Sequence, residues 1–517
     1  MNRLTNIMPC RYVVCIILAF TAIHMQADDR ELFIRTIKLS TGKGTVYQLF
    51  KEVSEQTGYS FIYDSRIIDN NKRVNIKKGE YLLIDAIMSI AGNYNLTVNV
   101  LGNHILLRLI NEPTDDHSNG QKENNSNISL RGSIFDGETR EPIQFVNVGI
   151  TGTTIGTVSN LNGDFQLIIP SSTGSSKIKM SHIGYETREI EVSLLDNQSI
   201  EFYLNPKTIP LQEILISATN PTQVLNDMIR QKRDNYSLAP VYMTSFYREG
   251  IDYKKKNIDL TEAVLQVYKT GFESNSGFDQ AKLIKKRRAT NQQMNDTIFP
   301  RMKSGIGSCL VLDIIKEMPE FIDPNNNSRY SYSFDHITTI DNRIVNVIAF
   351  KQKASVNEPL YMGNLYIDDQ TKALIEIQFE INPKHIEKAT HHFVVKKTRA
   401  LTLSLQEAKY IVSYKPASDG IYYINHIRGD IVFKVRKKNH LFNSLLHFWF
   451  ETVTCKIDTK DVKNIPRNER LSPETIFSET NHTYDQNFWE NFNLILPEER
   501  LVETMINNLN EVIINSE

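Results

Sequence analysis

The sequence predicts a multidomain, mainly β protein: a small α+β domain, then an antiparallel β-sandwich, then a large curved antiparallel β-sheet domain with a helix. Three observations predict this class. Apolar residues recur at helical spacing in two stretches before residue 92. Short runs of alternating polarity, broken by Asp-Gly, Asn-Gly and Thr-Gly pairs, follow from 128 to 204. After residue 240, strand-like runs succeed one another with almost no helix between them, which favours an antiparallel sheet.

The first 27 residues have the pattern of a secretory signal peptide. Arg3 and Arg11 form a positive head, an apolar run extends from Tyr12 to Ile23, and the small residue Ala27 stands at the predicted cleavage site. The apolar run is short for a membrane span. We therefore expect residues 1–27 to be removed near Ala27 and the protein to be exported to the periplasm, in association with the outer membrane.

The cysteines are few. Cys10 and Cys15 lie before or inside the apolar run of the signal peptide, so lipoprotein processing is not expected. Cys309 and Cys455 remain in the mature chain. A disulfide between them is chemically allowed in an oxidising compartment and would stabilise the fold by about 4–5 kcal/mol. Two buried free thiols are the favoured alternative, because sequence does not give the separation that a disulfide requires.

Residues 30–110 are predicted to form the α+β domain. Thr45 and Gln48 have the spacing of a capping box at the start of the first helix, and Gly58 ends it. A second helix is predicted over Leu82 to Ala91, and a hairpin follows it. With the run from Glu55 to Tyr63, this pattern resembles the short N-terminal domain that secretins and TonB-dependent receptors share. The resemblance implies a periplasmic interaction module without catalytic residues, which in some transporters touches an anti-sigma regulator.

Residues 111–127 are predicted to be a flexible linker, because Asn, Ser, Asp, Glu, Gly and Lys dominate them. Residues 128–205 then carry the densest motifs of the chain, Leu130 to Asp136, Glu141 to Val148 and Ser181 to Glu186. Their order resembles the carboxypeptidase-regulatory-like domain, a transthyretin-like β-sandwich. That resemblance implies a spacer or docking module.

The sandwich has no enzyme motif of the peptidases that give its family a name. A zinc peptidase needs closely spaced His and Glu ligands, and neither His-Glu-x-x-His nor His-x-x-Glu occurs in the chain. Asn160 to Asp164 superficially resembles a calcium loop but offers one carboxylate where such loops use several. We expect a hairpin turn there.

Residues 206–220 are predicted to be a connector. Ile209 to Ala218 resembles the segment that joins this sandwich to the plug of TonB-dependent transporters, by which an energising partner can pair its own strand. About 300 residues remain, too few for a plug and a barrel of about 22 strands. The likeness to a receptor is therefore one of domain order.

Residues 221–517 are predicted to form the large antiparallel β domain. Asn220 and Pro221 supply a cap and a first-turn proline for its helix. The stretch from Asn364 to Ile375 loosely resembles the half-barrel of lipoprotein carriers. That resemblance implies an apolar cavity for acyl chains or a lipidated peptide. In the alternative interpretation, which we favour, the apolar side chains fill the space under the helix, since alternation does not show whether a sheet is hollow.

Other candidate sites are weaker. Basic runs at 254–256, 285–288 and 436–438 fit anionic headgroups or solvated loop charges, of which the second is favoured. His336, His391 and His392 are candidate metal ligands but have no Cys or carboxylate at a suitable spacing. No nucleophile elbow and no phosphate loop occurs. We therefore predict no catalytic, cofactor-binding or metal site. Removing two arginines changes the formal charge from −1 to about −3, which does not favour nucleic-acid binding.

These observations predict a non-enzymatic interaction or assembly component that works in the periplasm at the outer membrane with a protein partner. One alternative is a lipid or lipoprotein carrier that uses residues 221–517. Another is a signal-transducing partner of a TonB-type or anti-sigma system that uses residues 30–110. An enzyme is the least supported class, because it requires side chains that only the fold brings together.

Overall fold

The computed structural model describes residues 35–63, 68–69, 72–94, 96–101, 104–109, 127–170, 173, 177–192, 199–207, 220–254, 256–273, 278–290, 301–302, 305–325, 329–396, 401–437, 443–472, 489, 492–498 and 501. They form two compact units. One holds the described residues before 110 together with 199–201, and the other holds the rest. The predicted fold class is confirmed, since strands predominate and the longest sheet is antiparallel. The predicted signal peptide and most of the predicted linker and connector lie outside the described residues.

The first unit is a small α+β structure. Its elements are β1 Thr36–Leu39, β2 Lys43–Thr45, α1 Val46–Thr57, β3 Ser60–Tyr63, β4 Arg73–Asn75, β5 Gly79–Leu82, α2 Leu83–Ala91, β6 Leu96–Leu101 and β7 His104–Leu109. The predicted capping box is confirmed, because the Thr45 side chain accepts from the Gln48 backbone and the Gln48 side chain accepts from the Thr45 backbone. Gly58 ends α1 at φ 77°, where a glycine avoids the steric cost of the left-handed region. β3 and β7 pair in parallel, while β6 and β7 form the predicted hairpin.

The sandwich consists of two antiparallel sheets. Its strands are β8 Ile128–Asp136, β9 Asn147–Ile150, β10 Gly156–Val158, β11 Asp164–Ile169, β12 Lys177–Ser181, β13 Arg188–Glu191 and β14 Ser199–Leu204. They form a four-stranded sheet in the order β10-β9-β12-β13 and a three-stranded sheet in the order β11-β8-β14. Asn160 to Asp164 is a turn, because the Asn160 side chain accepts from the backbone N–H groups of Asn162 and Asp164 at 2.9 Å each. It is not the predicted hairpin turn, since it joins β10 and β11, which belong to different sheets.

The rest of the chain forms a large sheet with short helices. Its elements are α3 Pro221–Arg230, α4 Lys232–Asn235, β15 Val241–Tyr253, β16 Lys256–Lys269, β17 Gln280–Thr290, β18 Arg301–Met302, α5 Gly305–Val311, α6 Ile314–Glu317, β19 Tyr330–Ile340, β20 Arg343–Gln352, β21 Tyr361–Asp368, β22 Leu374–Ile381, α7 Thr390–Phe393, β23 Val394–Lys396, β24 Leu401–Pro416, β25 Tyr422–Lys437 and β26 Ser444–Asp458, with 3-10 turns at Ile386–Ala389 and Arg467–Glu469. Ten strands form one antiparallel sheet in the order β17-β16-β15-β26-β25-β24-β22-β21-β20-β19. The predicted cap of α3 is confirmed, since the Asn220 side chain accepts from the Thr222 backbone.

The two faces of this sheet bury different partners. Tyr247 belongs to a core that α3, α5 and α6 cover, and we call that side the inner face. Its neighbour Phe246 points to the opposite side, where it clusters with Val158 of the sandwich and Leu494 near the C-terminus. We call this side the outer face. The ten-stranded sheet therefore lies between two layers. Its own helices cover the inner face, and the β-sandwich with the last described residues covers the outer face.

Candidate functional site

A groove of about 720 Å³ lies on the outer face, at the margin of the sandwich. Three sandwich side chains overhang it, those of Gln144, Phe145 and Leu161. Its floor comes from strands β19, β20, β21, β22, β24, β25 and β26, which follow one another in the sheet. The volume lies in the range of small-ligand sites, about 300–1,000 Å³.

The strand registers arrange the floor as two neighbouring rows. In the first row, Ala349 lies opposite Asn364, Asn364 opposite Gln378, Gln378 opposite Ile411 and Ile411 opposite Arg428. In the second row, Met362 lies opposite Glu380, Glu380 opposite Lys409 and Lys409 opposite Asp430. The first row therefore carries amides and aliphatic groups and ends on the Arg428 guanidinium, while the second carries charges of alternating sign.

Phe145 occupies the overhang in an unusual backbone conformation. Its φ of 58° lies in the left-handed region, which is rare and costly for a bulky side chain. Ser159 holds this conformation, because its carbonyl accepts from the Phe145 N–H at 3.1 Å and its hydroxyl accepts from the Val146 N–H at 2.9 Å. The Phe145 ring stacks on His426 at 4.7 Å, and the Arg428 guanidinium lies 5.7 Å from it. The strained backbone at the edge of the sandwich therefore places the Phe145 ring against the large sheet.

One end of the groove is an ion cluster centred on Asp430. Arg428 donates to its two carboxylate oxygens at 2.8 and 2.9 Å, and His447 Nε2 lies 2.9 Å from it. His447 Nδ1 lies 3.4 Å from Asp252. Burial disfavours a charged imidazole, but the hydrogen bonds to the two aspartates outweigh it and raise the pKa of His447. Burial also disfavours the carboxylate, yet His447 and Arg428 lower the pKa of Asp430. The cluster therefore favours the charged forms of Arg428, Asp430 and His447.

A second, fully buried set of charges lies beneath this end. Arg248 and Glu451 are each 0% exposed, and the Arg248 Nε donates to the Glu451 carboxylate. Arg428 reaches the other oxygen of Glu451 at 3.3 Å. Trp449 lies 5.5 Å from both guanidinium groups. Burial opposes ionisation, but the two arginines lower the pKa of Glu451 far below its usual range.

The same cluster fixes the last described residues to the sheet. Arg248 donates to the Glu498 carboxylate at 3.0 Å and to the Leu496 carbonyl at 3.2 Å. From the sandwich, Thr157 donates to the Leu494 carbonyl at 3.1 Å and Asn160 to the Leu496 carbonyl at 3.0 Å. Residues 492–498 therefore join the sandwich to the sheet and hold the overhang of Phe145 in place.

The inner face is filled by side chains in its aromatic region. Phe321 stacks on Phe350 at 4.8 Å and lies 5.6 Å from Phe379. A cavity of about 40 Å³ lies under α5, between Tyr247 and Cys309. It holds a few water molecules at most, which is far below the volume of a ligand site.

The structure places the sequence-predicted candidates apart from the groove. Lys285 to Arg288 were expected in a loop, but they lie on strand β17, because acidic residues of β16 face them: Arg287 pairs with Glu262 and Arg288 with Asp259. His391 and His392 lie side by side in α7, with ring centroids 4.0 Å apart. In the described part of the chain, no group of three His, Cys, Asp or Glu side chains is placed to hold a metal ion.

Cys309 and Cys455 are both free, as favoured from the sequence. Cys309 packs against the inner-face core and Cys455 against the outer-face cluster, so the sheet separates them. Burial raises the pKa of Cys455 to about 12. Neither thiol is therefore placed for a disulfide between the two.

The residues of the groove were missed by sequence reasoning, although one signal was present. Glu451 interrupts the apolar run from Phe448 to Val453, and a lone carboxylate inside a buried strand requires a buried partner. That partner, Arg248, precedes it by 203 positions. Sequence therefore signals that a pair exists but not which residue completes it.

The CarboxypepD_reg-like domain family matches residues 130–216, which span the sandwich. The expected resemblance is confirmed for this part of the chain, while the resemblance of residues 30–110 to the short N-terminal domain stays a prediction. No curated protein sequence matches the chain. In the described residues, no helix is both long and apolar enough to cross a membrane.

Solved structures give only remote similarities. A putative outer membrane lipoprotein-sorting protein domain from Vibrio parahaemolyticus has 9% identity and a TM-score of 0.21, over 48% of this chain and 96% of that one. A DUF1329 family protein from Desulfovibrio piger has 11% identity and a TM-score of 0.21, over 47% and 95%. The ferripyoverdine receptor of the outer membrane of Pseudomonas aeruginosa has 8% identity and a TM-score of 0.13, over 79% and 58%. These TM-scores are too low to carry an argument about fold or function.

Proposed function

We propose that this chain is an exported, non-enzymatic interaction component that works in the periplasm at the outer membrane, and that the outer-face groove binds its partner or ligand. One observation carries the proposal. The groove lies where the edge of the sandwich meets the outer face of the large sheet, a contact that we call the outer-face junction. The strained backbone of Phe145, the buried ion pairs and residues 492–498 all hold this junction fixed. Phe145 keeps a costly φ of 58° only because the surrounding contacts impose it. A preorganised wall of this kind lowers the entropy cost of binding.

The chemistry of the floor favours a polar ligand over an acyl chain. Asn364 and Gln378 occupy its centre, and both can donate and accept hydrogen bonds. Gln378 Nε2 donates to Glu376 at 2.7 Å, but an acyl chain lying over the two amides would leave their remaining donors and acceptors without partners, at a cost of about 1–3 kcal/mol each. A ligand that presents its own donors and acceptors avoids that cost.

The charged groups at the end of the groove support binding rather than catalysis. Both ring nitrogens of His447 lie near carboxylates, Asp252 on one side and Asp430 on the other. An imidazole whose two ring nitrogens both contact carboxylates has no free nitrogen placed to accept a proton from a ligand, which disfavours a role as general base. Arg428 is likewise held by Asp430 and Glu451.

A lipid or lipoprotein carrier is the second candidate. The observation that favours it is the apolar cavity under α5, which Leu265, Ile306 and Leu310 line. Gly305 lets α5 approach the sheet closely, since a Cβ there would come within 2.3 Å of the Tyr247 hydroxyl. A carrier requires this helix to move outward, because the space beneath it holds only about 40 Å³.

Native mass spectrometry with lipid extraction distinguishes the two candidates. The full-length chain is purified from the periplasm of a Gram-negative host, beside Gln378→Trp, which fills the centre of the groove, and Val311→Trp, which adds the same bulk to an exposed position on α5. A polar ligand or protein partner that Gln378→Trp removes and Val311→Trp retains supports the groove. A stoichiometric lipid that Gln378→Trp retains overturns the proposal in favour of the carrier.

A further inference from the structure

The charged row of the groove floor has a fixed order. Glu380, Lys409 and Asp430 lie directly opposite one another on three adjacent strands. Side chains in such positions are about 4.5–5.5 Å apart at their Cβ atoms. Negative, positive and negative groups therefore alternate across the sheet at the spacing of its strands.

Lys409 has its ion-pair partner outside the charged row. It forms an ion pair with Glu407 at 3.0 Å, and both side chains are about half exposed, 52% and 50%. An exposed pair of this kind contributes only about 0–1 kcal/mol, so an incoming carboxylate can replace it at little cost. Glu380, half-buried, also faces the open groove.

Apolar side chains flank the charged row on both sides. Met362 begins it, and Ile411 lies in the neighbouring row. Phe145 and Leu161 overhang it from the sandwich. Methionine adapts to ligand side chains of different shape. The groove thus offers apolar contacts, amides and both signs of charge within one surface.

The length of the groove fits an extended chain. From β20 to β26 the sheet order gives five inter-strand spacings. At about 4.8 Å each they span about 24 Å, the length of about seven extended residues at about 3.4 Å per residue.

We propose that the groove binds an extended polypeptide segment of about seven residues that carries both acidic and basic side chains, and that Glu380 and Lys409 recognise them, while Asp430 is held by Arg428 and His447. This inference rests on the proposed function, which makes the groove the ligand site. A polyanion would gain from Lys409 but would also meet the Glu380 carboxylate directly opposite it, and an uncharged oligosaccharide would gain from neither charge. Only a polypeptide supplies apolar side chains, peptide groups and both charges together.

A phage-displayed library of random nonapeptides is the first probe. It is selected on the full-length chain and counter-selected on Gln378→Trp, with Val311→Trp as the control that keeps the groove open. We expect enriched peptides that bind the unsubstituted chain and Val311→Trp and that carry both acidic and basic residues. No enrichment over Gln378→Trp overturns the polypeptide assignment.

Neutralising variants then test the recognition of charge. Glu380→Gln and Lys409→Gln are each expected to weaken binding of a selected peptide about fivefold at low salt, and this loss should disappear at high salt. Glu358→Gln removes a charge that is 63% exposed and outside the groove lining, and should change nothing. A peptide whose charged residues are replaced by glutamine should no longer distinguish Glu380→Gln from the unsubstituted chain. Equal affinities for every variant overturn the charge recognition.

The two proposals fail separately in these experiments. Binding of neutral oligosaccharides on a glycan array that Gln378→Trp abolishes, without peptide enrichment, overturns the polypeptide assignment and leaves the groove as the ligand site. Ligand binding that is unaffected by Gln378→Trp overturns the proposed function itself.

Discussion

Replacing Arg248 by methionine should destabilise the outer-face junction strongly. Methionine keeps much of the volume of the side chain and removes its charge. Glu498 then loses its ion-pair partner at 3.0 Å, and Glu451 keeps only the contact with Arg428 at 3.3 Å and the weak one with His426. Removing one partner of a buried ion pair costs about 3–5 kcal/mol, because it leaves an uncompensated charge. At about 3 kcal/mol per M of urea, the unfolding midpoint should fall by about 1–1.7 M.

Tryptophan fluorescence reports this transition directly. The chain has two tryptophans, Trp449 and Trp489, and both are buried on the outer face. The control is Lys456→Met, which breaks an ion pair whose side chains are 53% and 44% exposed and should shift the midpoint little. The double variant Arg248→Met with Glu498→Gln should recover part of the loss, since it removes one of the stranded charges. If Arg248→Met and Lys456→Met shift the midpoint equally, the cluster does not hold the junction.

Three further outcomes are expected. The interactions that raise the pKa of His447 stabilise the fold at pH values below the unfolded pKa of about 6.5, and this contribution is lost as pH rises through the higher folded pKa. His447→Gln should therefore lower the urea midpoint at pH 5.5 more than at pH 9. An equal loss at both pH values would contradict the assignment. Phe145→Gly should be more stable than Phe145→Ala by about 1 kcal/mol in parallel denaturation curves, because both lose the ring and only glycine relieves the positive φ; a more stable alanine variant would refute the strain. Cys309 and Cys455 should remain reduced under air and react with a thiol reagent only after denaturation, since burial raises the pKa of both thiols. A disulfide-linked species in non-reducing peptide mapping would contradict the placement of the two thiols on opposite faces of the sheet.

Local patterns predicted the elements well where one short segment carries the signal. The cap at Asn220, the capping box at Thr45 and the left-handed glycine at Gly58 depend on residues within one helical turn. Strand β17 was missed because its run from Lys282 to Arg288 is rich in basic residues, which are typical of a solvated loop. Its acidic partners lie on β16, about 25 residues earlier, so β17 can be recognised as a strand only when its pairing with β16 is known.

The groove was beyond sequence reasoning because it is a property of register and of distant contacts. Glu380, Lys409 and Asp430 are not evenly spaced in the chain, and only the pairing of β22, β24 and β25 sets them in a row. Phe145 belongs to the run from Glu141 to Val148, in which no glycine indicates a positive φ, and this conformation depends on the hydrogen bonds to Ser159. A change of one residue in any of these registers would turn the row to the inner face.

The same contacts that stabilise the junction also determine the geometry of the groove. Arg428 pairs with Glu451 below the floor and with Asp430 at its surface, so it connects the buried charges to the exposed row. Glu451 in turn shares Arg248 with Glu498, which belongs to the segment that holds the sandwich. A buried ion pair contributes little net stability compared with apolar side chains of the same volume, so stability alone does not explain why charges occupy this layer. The charges are explained if they hold the edge of the sandwich over a charged groove floor. Apolar residues would stabilise the layer but would not orient Arg428 and Asp430 toward the groove.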